Sequence, residues 1–170
     1  MKHVIFGSGP VGLAVMDELL AQGERSIRVV NRRGEALVPE GVEVRKGDVS
    51  DPEAAKALSE GAEVLYGCVN PAYTEWVKVF PGLQAGLIAA ARASGARLVM
   101  MENLYMYGLV DGHPLTEDLP FGATNRKGTT RARMAQDLMA AHQRGDIRAT
   151  AGRASDFVGR ACWGLPWATG

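Results

Sequence analysis

The sequence predicts an α/β fold, a doubly wound parallel sheet with helices on both faces, formed as a single domain over residues 1–159. Three observations predict it. Short runs of β-forming residues alternate with helical patterns along the chain, the order that gives parallel strands joined by crossover helices. The first apolar run leads directly into a glycine-rich turn that opens the first helical pattern. The composition, 46% hydrophobic and 22% charged over 170 residues, is that of an ordinary globular domain with chain enough for one sizeable core.

The elements follow in order. Residues 2–6 (Lys-His-Val-Ile-Phe) form a short strand that stops at Gly7. Residues 10–22 have helical spacing, with Val11, Val15, Leu19 and Leu20 as the apolar stripe and Gly23 as the stop. Residues 26–31, carrying Ile27, Val29 and Val30, are a second strand, and residues 41–45 a shorter third. A helix over 52–59 is capped by Ser50 or Asp51 ahead of Pro52. Residues 63–69 are a fourth strand, and 71–80 are irregular or partly helical. Pro81 opens a long helix over 81–94 that ends at Gly95. A fifth strand covers 97–101. The connection from 102 to 124 is long enough to suggest a functional loop. A helix over 127–143 and a sixth strand over 147–151 complete the alternation.

Acidic and basic residues balance at 19 each, so no net field steers the chain to nucleic acid or to an anionic membrane. No stretch is apolar enough to cross a bilayer, and the short N-terminal apolar run is no signal peptide. Cys68 and Cys162 form neither a zinc-ligand spacing nor a disulfide framework, which suits a reduced, cytoplasmic protein. His3, His113 and His142 are scattered, so no metal site is expected.

The turn reads Gly7-Ser8-Gly9-Pro10-Val11-Gly12. Gly-x-Gly-x-x-Gly is weak alone, but here it follows a strand and opens a helix, the context that dinucleotide binding requires. The first glycine permits the turn, the second lets backbone approach a pyrophosphate, and the third lets helix pack on strand. The helix N-terminus then offers free N–H groups and a positive dipole end, and Pro10 sacrifices no hydrogen bond there. No Gly-Lys-Ser/Thr occurs, which excludes a P-loop. The second strand ends in Asn31-Arg32-Arg33, with guanidiniums where an NAD-preferring fold places a carboxylate. NADP(H) is therefore expected over NAD(H). Asp48 and Val49, after the third strand, fall beside the adenine: Asp48 as acceptor for its amino group or as a turn residue, Val49 as packing for its ring.

Taken with Gly47-Asp48-Val49, Asn70-Pro71, the segment Asn103-Leu104-Tyr105-Met106-Tyr107-Gly108, Leu115-Thr116-Glu117-Asp118 and Arg153-Ala154-Ser155-Asp156-Phe157, the turn resembles the extended or atypical short-chain dehydrogenases/reductases of the NAD(P)-dependent epimerase/dehydratase type. The resemblance implies a Rossmann fold, an oxidoreductase or epimerase-like activity on a small carbonyl or sugar-like substrate, and cofactor roles for Cys68, Val69 and Asn70. It also implies a Tyr-x-x-x-Lys pair opening the helix after the fifth strand. This chain has Lys127 and Arg131 there instead. Lysine is no phenol, and arginine does not titrate usefully, though Arg131 could hold a ribose or phosphate. Tyr105 and Tyr107 are the nearest phenols, Tyr107, before Gly108, matches a family tyrosine, and Tyr107 and Lys127 are the candidate catalytic residues. Tyr73 and Trp76 fall near the expected substrate mouth, for stacking or for core packing. The resemblance further implies a homodimer through helices 81–94 and 127–143. Residues 160–170, with Cys162, Trp163 and Trp167, leave the family pattern, as expected either of a truncated or frame-shifted chain or of a minimal protein whose tryptophans cover core or dimer surface. The competing expectation is a non-catalytic dinucleotide-binding module.

Overall fold

The computed structural model describes residues 1–155. In chain order the elements are β1 (Lys2–Phe6), α1 (Pro10–Ala21), β2 (Ser26–Asn31), β3 (Glu43–Lys46), α2 (Pro52–Leu58), β4 (Val64–Gly67), α3 (Trp76–Ser94), β5 (Arg97–Asn103), α4 (Arg126–Gln143) and β6 (Arg148–Ala154). The strands make one sheet in the order β3-β2-β1-β4-β5-β6, and every pair is parallel. That is the Rossmann order. It reverses between β1 and β4, where doubly wound sheets open their ligand crevice at the strands' carboxyl ends.

Alternation along the strands sorts the core into two layers. In β1, Val4 and Phe6 face the layer built by α2, α3 and α4, with Leu65, Leu87, Leu98, Met134 and Leu138. Ile5 faces the other layer, with Ile27, Val29 and the α1 residues Met16 and Leu19. Each such buried side chain contributes about 1.5–3 kcal/mol relative to exposure. A third cluster, centred on Met106, Tyr107 and Ala135, seats the connection after β5 against α4.

Three expectations need correction. The face α1 buries is centred on Gly12, Met16 and Leu19, with Val15 and Leu20 of the expected stripe packed along its border, so the stripe is right in three of its four residues but off centre. Gly12 is buried because the helix touches the preceding turn there, a contact invisible to a hydrophobicity count. The helix expected to open at Pro81 opens at Trp76, after a 3-10 turn over Tyr73–Glu75. Trp76 and Phe80, one turn apart, are both buried with Leu83 and Leu87 in one cluster. That burial outweighs the backbone hydrogen bond lost at an internal proline. Finally, β5 and β6 are longer than expected, running through Asn103 and Ala154. Their register sets Glu102 beside Arg153, one pair before the end of the β5–β6 ladder. The segment 160–170 and its tryptophans lie outside the described residues.

Candidate functional site

The crevice is built on the turn after β1. Gly7 has φ +111°, which favours glycine, and an added Cβ would lie 2.6 Å from the Cys68 carbonyl oxygen. The ends of β1 and β4 are therefore in backbone contact. Gly12 is equally constrained, since a Cβ there would overlap the Gly7 carbonyl oxygen. Gly9 differs. Its φ is −76° and ψ −177°, ordinary extended backbone, and an added Cβ would meet nothing within 4 Å. Neither conformation nor packing within the chain calls for glycine at that point. No side chain caps α1, so its first N–H groups face the same open space.

Asn31, at the end of β2, links this turn to the next loop. Its Oδ1 accepts from the N–H of Arg33 and of Gly34, both at 2.8 Å, and its amide donates to Ser8 Oγ at 2.8 Å and to the Glu35 carbonyl at 2.9 Å. Arg32 and Arg33 are exposed beyond it. Across the loop, Asp48 Oδ1 accepts from the N–H and hydroxyl of Ser50, at 2.9 and 2.7 Å. Those bonds, with help from Arg32, hold the Asp48 carboxyl below its usual range, so it stays ionised. Asp51, rather than Ser50, caps α2, accepting from the N–H of Glu53 and Ala54. Val49 is the residue expected beside an adenine ring. It is buried in the core, where its carbonyl stands so close to Gly86 that α3 could not carry a side chain there.

At the far end of the crevice, Val69 leans on the core and Asn70 is exposed. Burial pushes the Cys68 thiol up to about 12, and no cation offsets it, as expected of a packed cysteine rather than a nucleophile. In a Cys162→Ser background, Cys68 should react with iodoacetamide at pH 8 roughly three orders of magnitude more slowly than a free thiol, a rate that mass spectrometry measures directly.

Beside this end stands an aromatic cluster of Tyr73, Trp76, Phe80 and Tyr105, with neighbouring ring centroids 5.1–6.3 Å apart. Each end holds a cation from α4. Lys127 Nζ lies 3.1 Å from the Tyr73 centroid, and the Arg131 guanidinium 4.6 Å from that of Phe80. Asn125 caps α4, its Oδ1 accepting from the Gly128 N–H at 2.8 Å.

Arg131 does not face the crevice as a ribose or phosphate ligand would. It is 1% exposed and turned inward, with Nη2 4.0 Å from Glu102 Oε1. Glu102 in turn accepts from Arg153 Nε at 3.0 Å, and Arg153 Nη1 donates to the Tyr107 hydroxyl at 2.7 Å. Tyr107 is itself 3% exposed, which removes its hydroxyl from the surface where a proton donor would work. Sequence reasoning missed Glu102 as the hub of this group. The signal was present: Leu98, Met100 and Glu102 alternate onto one face of β5, and that face is the buried one.

The model of a family described as NAD(P)H-binding matches residues 7–147. The chain is similar in fold to the solved UDP-glucose 4-epimerase from Brucella ovis in complex with NAD, with TM-score 0.79 and 19% identity, over 92% of this chain and 52% of that one. It is similar to the UDP-glucose 4-epimerase of Thermus thermophilus in complex with NAD, with TM-score 0.76 and 19% identity, over 95% and 59%. A UDP-galactose 4-epimerase matches with TM-score 0.77 and 21% identity, over 90% and 55%. The chain thus spans little more than half the length of these structures. No curated protein matches it. Among the described residues, no helix is long and apolar enough to cross a membrane.

Proposed function

The chain belongs to this NAD(P)H-binding family, and from that premise we propose that it binds NADP(H) across the turn at residues 7–12 and acts as an oxidoreductase or epimerase-like protein on a small carbonyl or sugar-like substrate. The observation that carries the reading is Gly9. The fold asks for no glycine there, yet its missing side chain leaves space beside an uncapped helix N-terminus. A pyrophosphate is the group that space suits. Ser8, whose hydroxyl oxygen is already engaged by Asn31, keeps its own O–H for a phosphate oxygen. The second Asp48 oxygen accepts from the adenine amino group. Arg32 and Arg33 pair with the ribose 2′-phosphate. Structures similar in fold hold NAD, so the choice of the phosphorylated cofactor rests on these two arginines. Cys68 and Asn70 line the end of the crevice where the nicotinamide would lie.

When bound, the nicotinamide supplies hydride exchange. Lys127 is the group that stands where the related enzymes carry a phenol, and its ammonium is the proton source for a substrate oxygen. A second reading, a dinucleotide-binding module without turnover, is favoured by one observation: the buried phenol at Tyr107 is committed to Arg153. NADPH oxidation followed by absorbance over a panel of small carbonyl compounds separates the two. Tight NADPH binding without turnover supports the module.

The cofactor assignment has its own test. Titration with NADPH and NADH should show a preference for NADPH. Arg32→Ala plus Arg33→Ala should lower NADPH affinity by roughly 30–100-fold, two charge-assisted contacts, and leave NADH affinity nearly unchanged. Unchanged NADPH affinity in that variant rejects the 2′-phosphate assignment. Self-association through the outer faces of α3 and α4, where Ala85, Ile88, Ala89 and Ala140 border a shallow groove, belongs to the same proposal. Sedimentation over a range of concentrations tests it.

A further inference from the structure

Asn31 stands at the junction of the two halves of the proposed cofactor site, and its own bonds say what it does there. A side-chain amide offers two donors and two acceptor lone pairs. In Asn31 all four are used within the chain: Ser8 Oγ and the Glu35 carbonyl on the donor side, the Arg33 and Gly34 N–H groups on the acceptor side. Its backbone carbonyl is also taken, accepting from the Gly47 N–H at 2.9 Å. The side-chain amide therefore has no hydrogen-bonding capacity left for a ribose hydroxyl or a phosphate. The bond to Ser8 spans 23 residues and ties the loop bearing the two arginines to the hydroxyl of the glycine-rich turn. The loop itself is short of other anchors. Gly34 has φ +77° and passes against Lys46, where an added Cβ would lie 2.8 Å from the Lys46 Cβ. Arg32 and Arg33 have exposed side chains, so the carboxamide of Asn31 is what holds their backbone in its fold-back.

We infer that Asn31 is a positioning residue for cofactor selectivity: it sets preference for a 2′-phosphorylated dinucleotide without touching the cofactor, by fixing the Arg32–Arg33 backbone against Ser8. The inference rests on the NADP(H) reading above. It follows that removing the amide loosens the arginines far more than the pyrophosphate cradle, because Gly7 is placed by Val30 of β2 and by Cys68 after β4, and Gly12 by its packing on Gly7, rather than by the loop.

The experiment is a mutant cycle read by calorimetric titration with NADPH and with NADH. Asn31→Ala should weaken NADPH by roughly tenfold while NADH changes by less than about twofold. Placed on top of Arg32→Ala plus Arg33→Ala, it should change NADPH affinity no further, since the groups it positions are gone. Equal losses for both cofactors, or a loss that adds to that of the arginine pair, overturn the inference and make Asn31 a general structural residue. If the arginine pair itself proves silent, the NADP(H) reading fails and the inference falls with it, which is a different pattern in the same data. Asn31→Ser keeps one acceptor for the loop without adding charge. It should show the same NADPH-selective loss in smaller degree, and it carries the test if the alanine variant does not fold.

Discussion

Gly12→Ala is expected to abolish NADPH binding and lower the melting temperature, whereas Gly9→Ala should abolish binding while leaving stability nearly intact. The contrast follows from what surrounds each position. A Cβ on Gly12 would overlap the carbonyl oxygen of Gly7 and also lie 3.4 Å from Ile5 Cγ2. The obstruction is backbone, so no rotamer change relieves it, and α1 must move away from β1. Overpacking of this kind costs on the order of 3 kcal/mol or more. At this chain length that is a fall of roughly 6–12 °C. Gly9 has no such neighbour and an ordinary φ. Alanine costs it at most about 1 kcal/mol as a poorer N-cap than glycine, a change of a few degrees. Its methyl group would, however, occupy the approach to the α1 N-terminus. NADPH affinity should fall by at least about 100-fold, equivalent to 2.7 kcal/mol. Thermal melts and titrations of both variants supply the readings. Gly9→Ala binding NADPH as the parent does would remove the main support for the cofactor site, and Gly12→Ala melting like the parent would show that α1 tolerates displacement.

Those two glycines look alike in the sequence and are not alike in the structure, and the same division runs through the rest of the site. The turn, the strand that precedes it and the arginines after β2 were legible because each is a local signal: a spacing, an ending, an absent carboxylate. The strand order was legible because alternation leaves few right-handed solutions. What escaped depends on contacts between distant segments. Pro81 reads as a helix start, and only the packing of Trp76 and Phe80 against Leu87 shows that the helix is already underway. Val49 was legible as the residue after Asp48, but that its side chain joins the core while its carbonyl abuts Gly86, thirty-seven residues later, shows only in the packing. Asn31 was legible as a residue of the cofactor site, but not as one whose amide is already saturated. Arg131 was legible as a substitution in a known place. That it turns inward depends on Glu102 and Phe80, which come from β5 and α3.

Glu102→Ala is expected to be the most destabilising single change among the charged residues discussed. Glu102 is 2% exposed and is flanked by Arg131 and Arg153. Burial already disfavours the charged form of Arg131, and the carboxylate of Glu102 is the one opposing influence. Arg131 Nε and Nη2 already lack hydrogen-bond partners, so removing that carboxylate takes away the opposing charge of a buried guanidinium, a loss of about 3–5 kcal/mol, or on the order of 10 °C. Arg153 is better placed to recover, because its side chain is 17% exposed and can rehydrate. The double change Glu102→Met plus Arg131→Met should therefore regain most of the lost stability, since apolar groups of similar volume commonly replace a buried ion pair without net cost. If the double variant is no better than Glu102→Ala, the pair is not the source of the loss. The same variants decide what Arg131 does for the cofactor. Turned inward, it should leave NADPH affinity within about threefold of the parent once the folded fraction is accounted for. A tenfold loss of affinity with an unchanged melt would place Arg131 back in the crevice, in the role its sequence position suggests. The expected result, a large thermal effect with little change in binding, would mean that this arginine has become part of the scaffold beneath the site, leaving Lys127 as the α4 cation that a substrate could meet.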